Sequence, residues 1–202
     1  MIIKDLGLVE YQPTYQLMQD FTADRDNSTE DQLWLLEHLP VFTQGTNGSN
    51  EHVLSAGSIA VVNTDRGGQV TYHGPGQLIA YTLFDLKRLG IGIREMVSRL
   101  ENSVITLLAD IGINAQARSD APGVYVKGRK IAALGLRVKH GACYHGLSLN
   151  IDMDLTPFSS INPCGYQGME VIDLKSLGYD MTIVQAKQKI VSALNSQMQQ
   201  GK

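Results

Sequence analysis

GVYVKGRKIAALGLRVKHGACYHGLSLNI, residues Gly123 to Ile151, is the stretch on which the fold class turns. Val124-Tyr125-Val126 and the run from Lys130 to Val138 are rich in β-branched, aromatic and small apolar residues, and they flank Gly128 as the arms of a hairpin do. Tyr144 to Ile151 has the same character and predicts a further strand. The middle of the chain is therefore sheet.

Working outward, Ile59-Ala60-Val61-Val62 and Gln77 to Phe84 read as two more strands on either side of a glycine-rich connection. From Ile93 onward, Met96, Val97, Leu100, Val104, Leu107, Leu108 and Ile111 keep one face of a 3.6-residue period, with Gly112 as terminator. Near the start, Tyr15, Leu17, Met18 and Phe21 predict a helix, followed by a strand at Leu33-Trp34-Leu35-Leu36. The polar segment from Thr43 to Ser58, with its glycines and asparagines, predicts a mobile loop. A last helix starts near Thr182, where Thr182 and Gln185 have capping-box spacing, and continues through Ile183, Ala186, Ile190 and Leu194. Central strands with segregated helices predict an α+β fold, a mixed or antiparallel sheet flanked by helices. Without repeats, low-complexity tracts or a Pro/Ser-rich linker, residues 1–202 are expected to form one domain.

Composition narrows the function classes. Hydrophobic residues make up 43% and charged residues 18%, ordinary globular usage that disfavours a disordered or fibrous chain. A formal charge of -3 disfavours a protein bound mainly to nucleic acid, so any cationic site has to be local. The opening MIIKDLGLVEY lacks the features of a signal peptide, and no apolar run is long enough to span a bilayer. A cytoplasmic protein with no membrane partner is expected. Its 2 cysteines are too few for a disulfide framework or a four-cysteine zinc site.

Three stretches carry chemistry. RGGQVTYHGPGQLIAY, Arg66 to Tyr81, combines 4 glycines with Arg66, His73 and two tyrosines. Glycine lets backbone approach a ligand closely, and Arg and His add a cation and a titratable donor, so this is a candidate substrate loop as well as a candidate hairpin. It matches neither common nucleotide-phosphate motif. KGRKIAALGLRVKHG, Lys127 to Gly141, holds 6 basic residues counting His140 and no acidic one. That marks either a docking surface for an acidic partner or a solvated strand face. Within it, Lys130 leads directly into Ile131, Ala132 and Ala133, which places its ammonium where a strand enters the core. FSSINPCGYQG, Phe158 to Gly168, sets Cys164 between a proline and a glycine, in an irregular turn.

Cys164 is a candidate filler, disulfide half, metal ligand or nucleophile; its turn context favours the nucleophile, whereas Cys143 lies in an apolar run. The C-x-H pair of Cys143 and His145 lacks two further well-spaced ligands, so no metal is expected. A free thiol near pKa ~8.5 is only slightly ionised at neutral pH. An ammonium about 4 Å away, at an effective dielectric of ~20, offers roughly 4 kcal/mol, up to about three pKa units before desolvation takes some back. A lysine and a cysteine thus suffice as a dyad, with the lysine accepting and returning the proton.

Taken together, the stretches RGGQVTYHGPGQLIAY, GRKIAALGLRV, HGLSLNID and INPCGYQG resemble the lipoyl(octanoyl) transferase family in order and approximate spacing, over about Thr43 to Leu177. One minor departure is Val171-Ile172-Asp173-Leu174, where many relatives have Thr as the second residue. The resemblance implies a fold similar to the catalytic domain of biotin and lipoate protein ligases, the class II aminoacyl-tRNA synthetase/biotin synthetase-like architecture. It implies transfer of an octanoyl group from acyl carrier protein to a lysine of lipoyl domains in 2-oxoacid dehydrogenases, or of glycine cleavage protein H. It assigns Cys164 as acyl-thioester nucleophile and Lys130 as the group that lowers its pKa and handles protons. Substrate contacts fall on Arg66, Gly67, Gly68, Gln69, Val70, Thr71, Tyr72 and His73, on Ala133, Leu134 and Gly135, and on Gly146, Leu147 and Ser148. No cofactor is needed, because thiolate-thioester exchange is near balance and amide formation is downhill. Backbone N–H groups near Gly74, Gly76 or Gly165 are candidate oxyanion donors. A monomer is expected. The rival readings are an ATP-dependent lipoate or biotin protein ligase, which would not need Cys164, and a non-catalytic carrier-binding protein.

Overall fold

The first strand, β1 (Ile2–Val9), runs parallel to β2 (Gln32–His38), and helix α1 (Tyr11–Ala23) makes the crossover between them. A parallel return requires such a connection, whereas antiparallel neighbours close with a tight turn. The structure is a computed structural model that describes residues 1–199, the side chain of Cys164 excepted.

β2 alternates perfectly between two cores: Leu33 and Leu35 face one side, Trp34 and Leu36 the other. It pairs antiparallel with β6 (Gln77–Asp85), which pairs with β10 (Ala142–Asn150), which pairs with β9 (Arg129–Lys139). β8 (Gly123–Val126) and the short β7 (Gln116–Ala117) complete a mixed seven-stranded sheet ordered β1-β2-β6-β10-β9-β8-β7. Two two-residue turns connect its centre. Lys127 and Gly128 have φ of 49° and 80°, and His140 and Gly141 have φ of 54° and 89°. Positive φ at both turn positions matches the twist of antiparallel strands, which fixes the register of β8, β9 and β10.

After a single helical turn, α2 (Leu86–Leu89), the helices α3 (Ile93–Ala109) and α4 (Ile183–Gln199) cover one face of this sheet. Leu100, Val104 and Leu107 of α3 and Ala186, Ile190 and Leu194 of α4 meet Leu33, Leu78, Ala80 and Leu149 in the main core. The expected capping box opens α4: the Thr182 N–H donates to Gln185 Oε1 at 2.9 Å, and the Gln185 N–H donates to Thr182 Oγ1 at 3.2 Å. On the opposite face lie α1 and a second, three-stranded sheet. There β3 (Val41–Gln44) pairs parallel with β4 (Ala60–Asn63) and antiparallel with β5 (Val70–His73).

The long helices and the β2, β4, β6, β8, β9 and β10 strands appear where periodicity and composition place them. β5 lies inside what reads as a glycine-rich connection, because its four residues are bracketed by turn-forming glycines and proline. The polar segment from Thr43 to Ser58 also departs from expectation. Thr43 and Gln44 are the buried end of β3, and Asn50–His52 is a 3-10 turn. β1 escapes detection because it is an edge strand exposed over half its length and lacks a buried face to impose alternation.

Close strand approach leaves a checkable constraint at Gly146. A Cβ there would overlap the Ala80 carbonyl oxygen of the neighbouring strand, and backbone cannot yield as a side chain can. Gly146→Ala is expected to cost about 1–3 kcal/mol, the usual range for overpacking, and to lower the urea midpoint without changing the slope. An unchanged midpoint would contradict the geometry.

Candidate active site

Between the two sheets runs a cleft. Cross-strand register builds its floor in rows. Ile79, Ser148 and Ala133 stand side by side on β6, β10 and β9, and Tyr81, Gly146 and Gly135 form the next row. Small residues on β10 and β9 leave the room above the floor. Tyr11 of α1, Thr71 and His73 of β5, and the loop from Arg66 to Gln69 supply the walls. Beyond the Ser148 row a narrower cavity continues, sharing Thr71, Ala133 and Ser148 with the cleft and lined by Lys130 and Pro163.

The main chain of Lys130 is clamped by a distant segment. Its N–H donates to Glu170 O and its carbonyl accepts from the Ile172 N–H, both at 2.9 Å. The side chain is only 3% exposed; Nζ donates to Pro122 O at 3.0 Å and lies 5.4 Å from the centre of the Tyr125 ring. Gly123, at φ 147°, makes space for it, since a Cβ there would come 2.7 Å from Lys130 Cε. Behind it the Glu101 carboxylate accepts from the Gly123 N–H at 3.0 Å. Burial raises the Glu101 pKa, against the opposing pull of that hydrogen bond and of the Lys130 charge.

Cys164 lies in the 3-10 turn Pro163–Gly165. His52 O accepts from the Asn162 N–H at 2.8 Å, and Tyr166, just after the turn, donates its hydroxyl to Asp120 O at 2.8 Å, so both flanks are anchored. The Cys164 side chain itself lies outside the described residues. What the fold brings together is the turn carrying it and Lys130, through Pro163, which lines the Lys130 cavity.

Every substrate contact expected from the sequence lines the cleft except Gly67 and Tyr72. Alternation along β5 aims Thr71 and His73 at the cleft, so Tyr72 faces away and packs 5.5 Å from the rings of Phe42 and Phe158. Gly67 instead donates its N–H to Leu136 O at 2.9 Å, tying the loop to β9. Arg66 acts as a brace: its guanidinium donates to Thr43 O at 2.6 Å, Thr43 Oγ1 at 2.8 Å and Gln69 O at 2.8 Å. His73 holds Gln77 Oε1 at 2.7 Å, and burial pushes its pKa down to about 3, which leaves the ring neutral.

Sequence reasoning missed the polar end of the cleft. Tyr11, Tyr81 and His145 line it, with His38 and Asp65 behind. The Tyr81 hydroxyl meets His38 Nε2 at 2.7 Å, and burial pushes the His38 pKa down to about 4. His145 has φ 62°, which turns its ring to the Tyr144 side of β10, where Nε2 lies 3.0 Å from Asp65 Oδ1. Burial lowers the His145 pKa, against the pull of Asp65. Burial alone would raise the Asp65 pKa, but hydrogen bonds from His145, Tyr144 and Tyr15 outweigh it and hold the carboxyl well below the usual range. A positive φ inside a strand is the one signal here, and sequence does not display it.

Two sequence readings are sharpened. Cys143 is fully buried, donates to Thr82 O at 3.4 Å and has its pKa pushed up to about 11 by burial, the profile of an inert thiol. With Cys143 in the main core and His145 on Asp65, the C-x-H pair does not converge on a common point. The basic stretch from Lys127 to His140 is not one surface. Lys127 and Arg129 sit beside Lys130, joined by Arg118 and Tyr166 around a shallow bowl. Lys139 and His140 lie at the far end of β9, roughly 30 Å along an extended strand, with Arg137 between, two residues past Gly135 of the cleft.

Comparison with known proteins agrees with this geometry. The family model described as "Lipoyl protein ligase A/B catalytic domain" matches residues 10–195. A Chromobacterium violaceum protein named Octanoyltransferase is 55% identical over 201 residues, covering 100% of this chain and 97% of that one. Among solved structures, Ta0514, a putative lipoate protein ligase from T. acidophilum, superposes with a TM-score of 0.78 at 15% identity, covering 98% of this chain and 85% of that one. Biotin protein ligase from Aquifex aeolicus, in complex with biotin and ATP, gives 0.65 at 14% identity, over 98% and 70%. These neighbours share the α+β architecture, and the sequence relationship goes further: the chain belongs to the lipoyl protein ligase A/B catalytic domain family, in its octanoyltransferase branch.

Proposed function

We propose that the protein transfers an octanoyl group from the thioester of acyl carrier protein to a lysine of lipoyl domains, those of 2-oxoacid dehydrogenases or of glycine cleavage protein H, through a thioester on Cys164. The observation that carries this reading is that an apolar cleft adjoins the cavity lined by Lys130 and Pro163, the two sharing Thr71, Ala133 and Ser148. Acyl transfer is the reaction class of its 55% identical relative. Ile79, Ala133 and Gly135 line the cleft, and about six methylenes buried at ~0.8 kcal/mol each give roughly 5 kcal/mol for holding the chain.

The Lys130 ammonium favours the Cys164 thiolate, which adds to the acyl carbonyl carbon. A new C–S bond forms, the carbonyl pair moves to oxygen, and collapse expels the carrier thiolate, which takes a proton from Lys130. In the second half the acceptor lysine enters as a neutral amine and forms the C–N bond. Collapse then expels the Cys164 thiolate, and the amine's surplus proton returns to Lys130. Neither half needs ATP or a metal, because a thioester is already activated. The reading places the reaction in the cytoplasm, where thiols stay reduced, with the chain acting as a monomer.

Intact-protein mass spectrometry after incubation with octanoyl-acyl carrier protein tests the intermediate. Wild type is expected to gain one octanoyl mass, released by hydroxylamine, and Cys164→Ala to gain none. Transfer to a lipoyl domain without any adduct would contradict the thioester.

Donor docking gives a second test, because Lys127 and Arg129 adjoin Lys130 whereas Lys139 lies at the far end of the strand. Reversing Lys127 and Arg129 to Glu is expected to raise KM for an acidic carrier several-fold at low salt, with kcat little changed and the effect fading as salt rises. Lys139→Glu, at the far end, is expected to leave KM unchanged. An equal effect at Lys139 would contradict the assignment.

A further inference from the structure

The reaction places negative charge on the acyl oxygen twice, so a donor has to face it. Two of the three backbone donors named from the sequence are occupied. The Gly165 N–H donates to Asn162 O at 2.9 Å, and the Gly76 N–H donates to Glu37 Oε2 at 2.7 Å. Gly74 backs onto the Tyr72 phenol, which points away from the cleft.

Gln69 stands out. Its side chain lines the cleft, and its amide packs directly against Gly165, the residue following Cys164: a Cβ on Gly165 would overlap both Oε1 and Nε2. Oε1 is buried and has no hydrogen-bond partner among the described residues. An unmet buried amide costs roughly 1–3 kcal/mol and is expected to be met by a ligand. The backbone beneath it is rigid, since Gln69 O accepts from Arg66 Nη2 at 2.8 Å and from the Gly45 N–H at 3.4 Å. A half-turn of the amide exchanges Oε1 and Nε2 at little cost, so an N–H can occupy either position.

We propose that the Gln69 side-chain amide is a catalytic hydrogen-bond donor to the acyl oxyanion, next to Cys164, in both halves of the transfer. The role rests on the thioester reading above. When the Cys164 sulfur adds to the carbonyl carbon, the displaced pair on oxygen is met by the Gln69 N–H; when the C–S bond to the carrier breaks, the pair returns and the contact relaxes. The amide gains or loses no proton. A donor fixed before the charge appears needs no reorganisation, which is why such groups act on rate more than on binding.

Two reactions of one thiol separate this role from packing. Octanoylation of Cys164 passes through an oxyanion, whereas alkylation by iodoacetamide displaces iodide at a saturated carbon and forms none. Single-turnover octanoylation by octanoyl-acyl carrier protein and iodoacetamide alkylation are compared in wild type, Gln69→Leu and Gln69→Met. Octanoylation is expected to slow about 10²-fold in both variants, with alkylation rate and thermal midpoint unchanged, because neither brings a charge beside the thiol. Gln69→Met keeps the length of the native side chain without its N–H and carries the same readout if Gln69→Leu fails to fold. Unchanged octanoylation in the variants, or octanoylation and alkylation falling together, would overturn the proposal while leaving the thioester in place. A wild type that forms no octanoyl adduct would overturn both.

Discussion

Two main-chain hydrogen bonds, from the Lys130 N–H to Glu170 O and from the Ile172 N–H to Lys130 O, join the start of β9 to a segment that runs on from the Cys164 turn. Neither belongs to the main sheet ladder. Together they make a single parallel bridge between Lys130 and Val171. The bridge fixes how far the turn at Pro163–Gly165 sits from the mouth of the cleft, and Ile172, buried in the main core, keeps the segment from sliding. A lysine whose backbone is held on both sides has little freedom except at its tip. That tip is fixed by Pro122 O and the Tyr125 ring, in space that only a glycine at position 123 leaves. A buried ammonium is tolerated where its hydrogen bonds and neighbours compensate for lost water.

The rest of the cleft follows from the sheet. Antiparallel register lines up Ser148 with Ala133 and Gly146 with Gly135, so an apolar channel forms over the strands that carry the smallest side chains. Its polar end is a network of neutral and charged partners, with His38 on Tyr81 and His145 on Asp65. His38 and His73 are kept neutral by burial, while Lys130 lines the narrower cavity beyond the Ser148 row, together with the Gln77 that His73 holds. Arg66 is spent on architecture, since its bonds to Thr43 and Gln69 hold the loop in shape. Charge in this site is therefore placed by hydrogen bonding, although the chain contains basic residues on many surfaces.

Much of this was legible from residues alone, and the reasons differ by element. The Lys127-Gly128 turn and the Thr182/Gln185 cap are local devices, complete within four residues, and both occur as read. The cleft residues in RGGQVTYHGPGQ were recognisable as a group because glycines and polar residues rarely crowd together without cause. Tyr72 fell out of that group through strand alternation, which is invisible until β5 is known to be a strand. The Asp65–His145 contact joins positions eighty residues apart, so no local pattern predicts it. The basic stretch misled for the opposite reason: continuity in sequence becomes separation in space when a strand is extended.

The central claim is that Lys130 acts on the Cys164 thiol, and the pH dependence of thiol alkylation measures it most directly. Wild type and Lys130→Ala are titrated with iodoacetamide, and modification of Cys164 is read by peptide mapping. The account predicts a wild-type midpoint well below the ~8.5 of a free thiol, moving up by as much as about three units when the ammonium is removed. Superimposable profiles for the two proteins would contradict it.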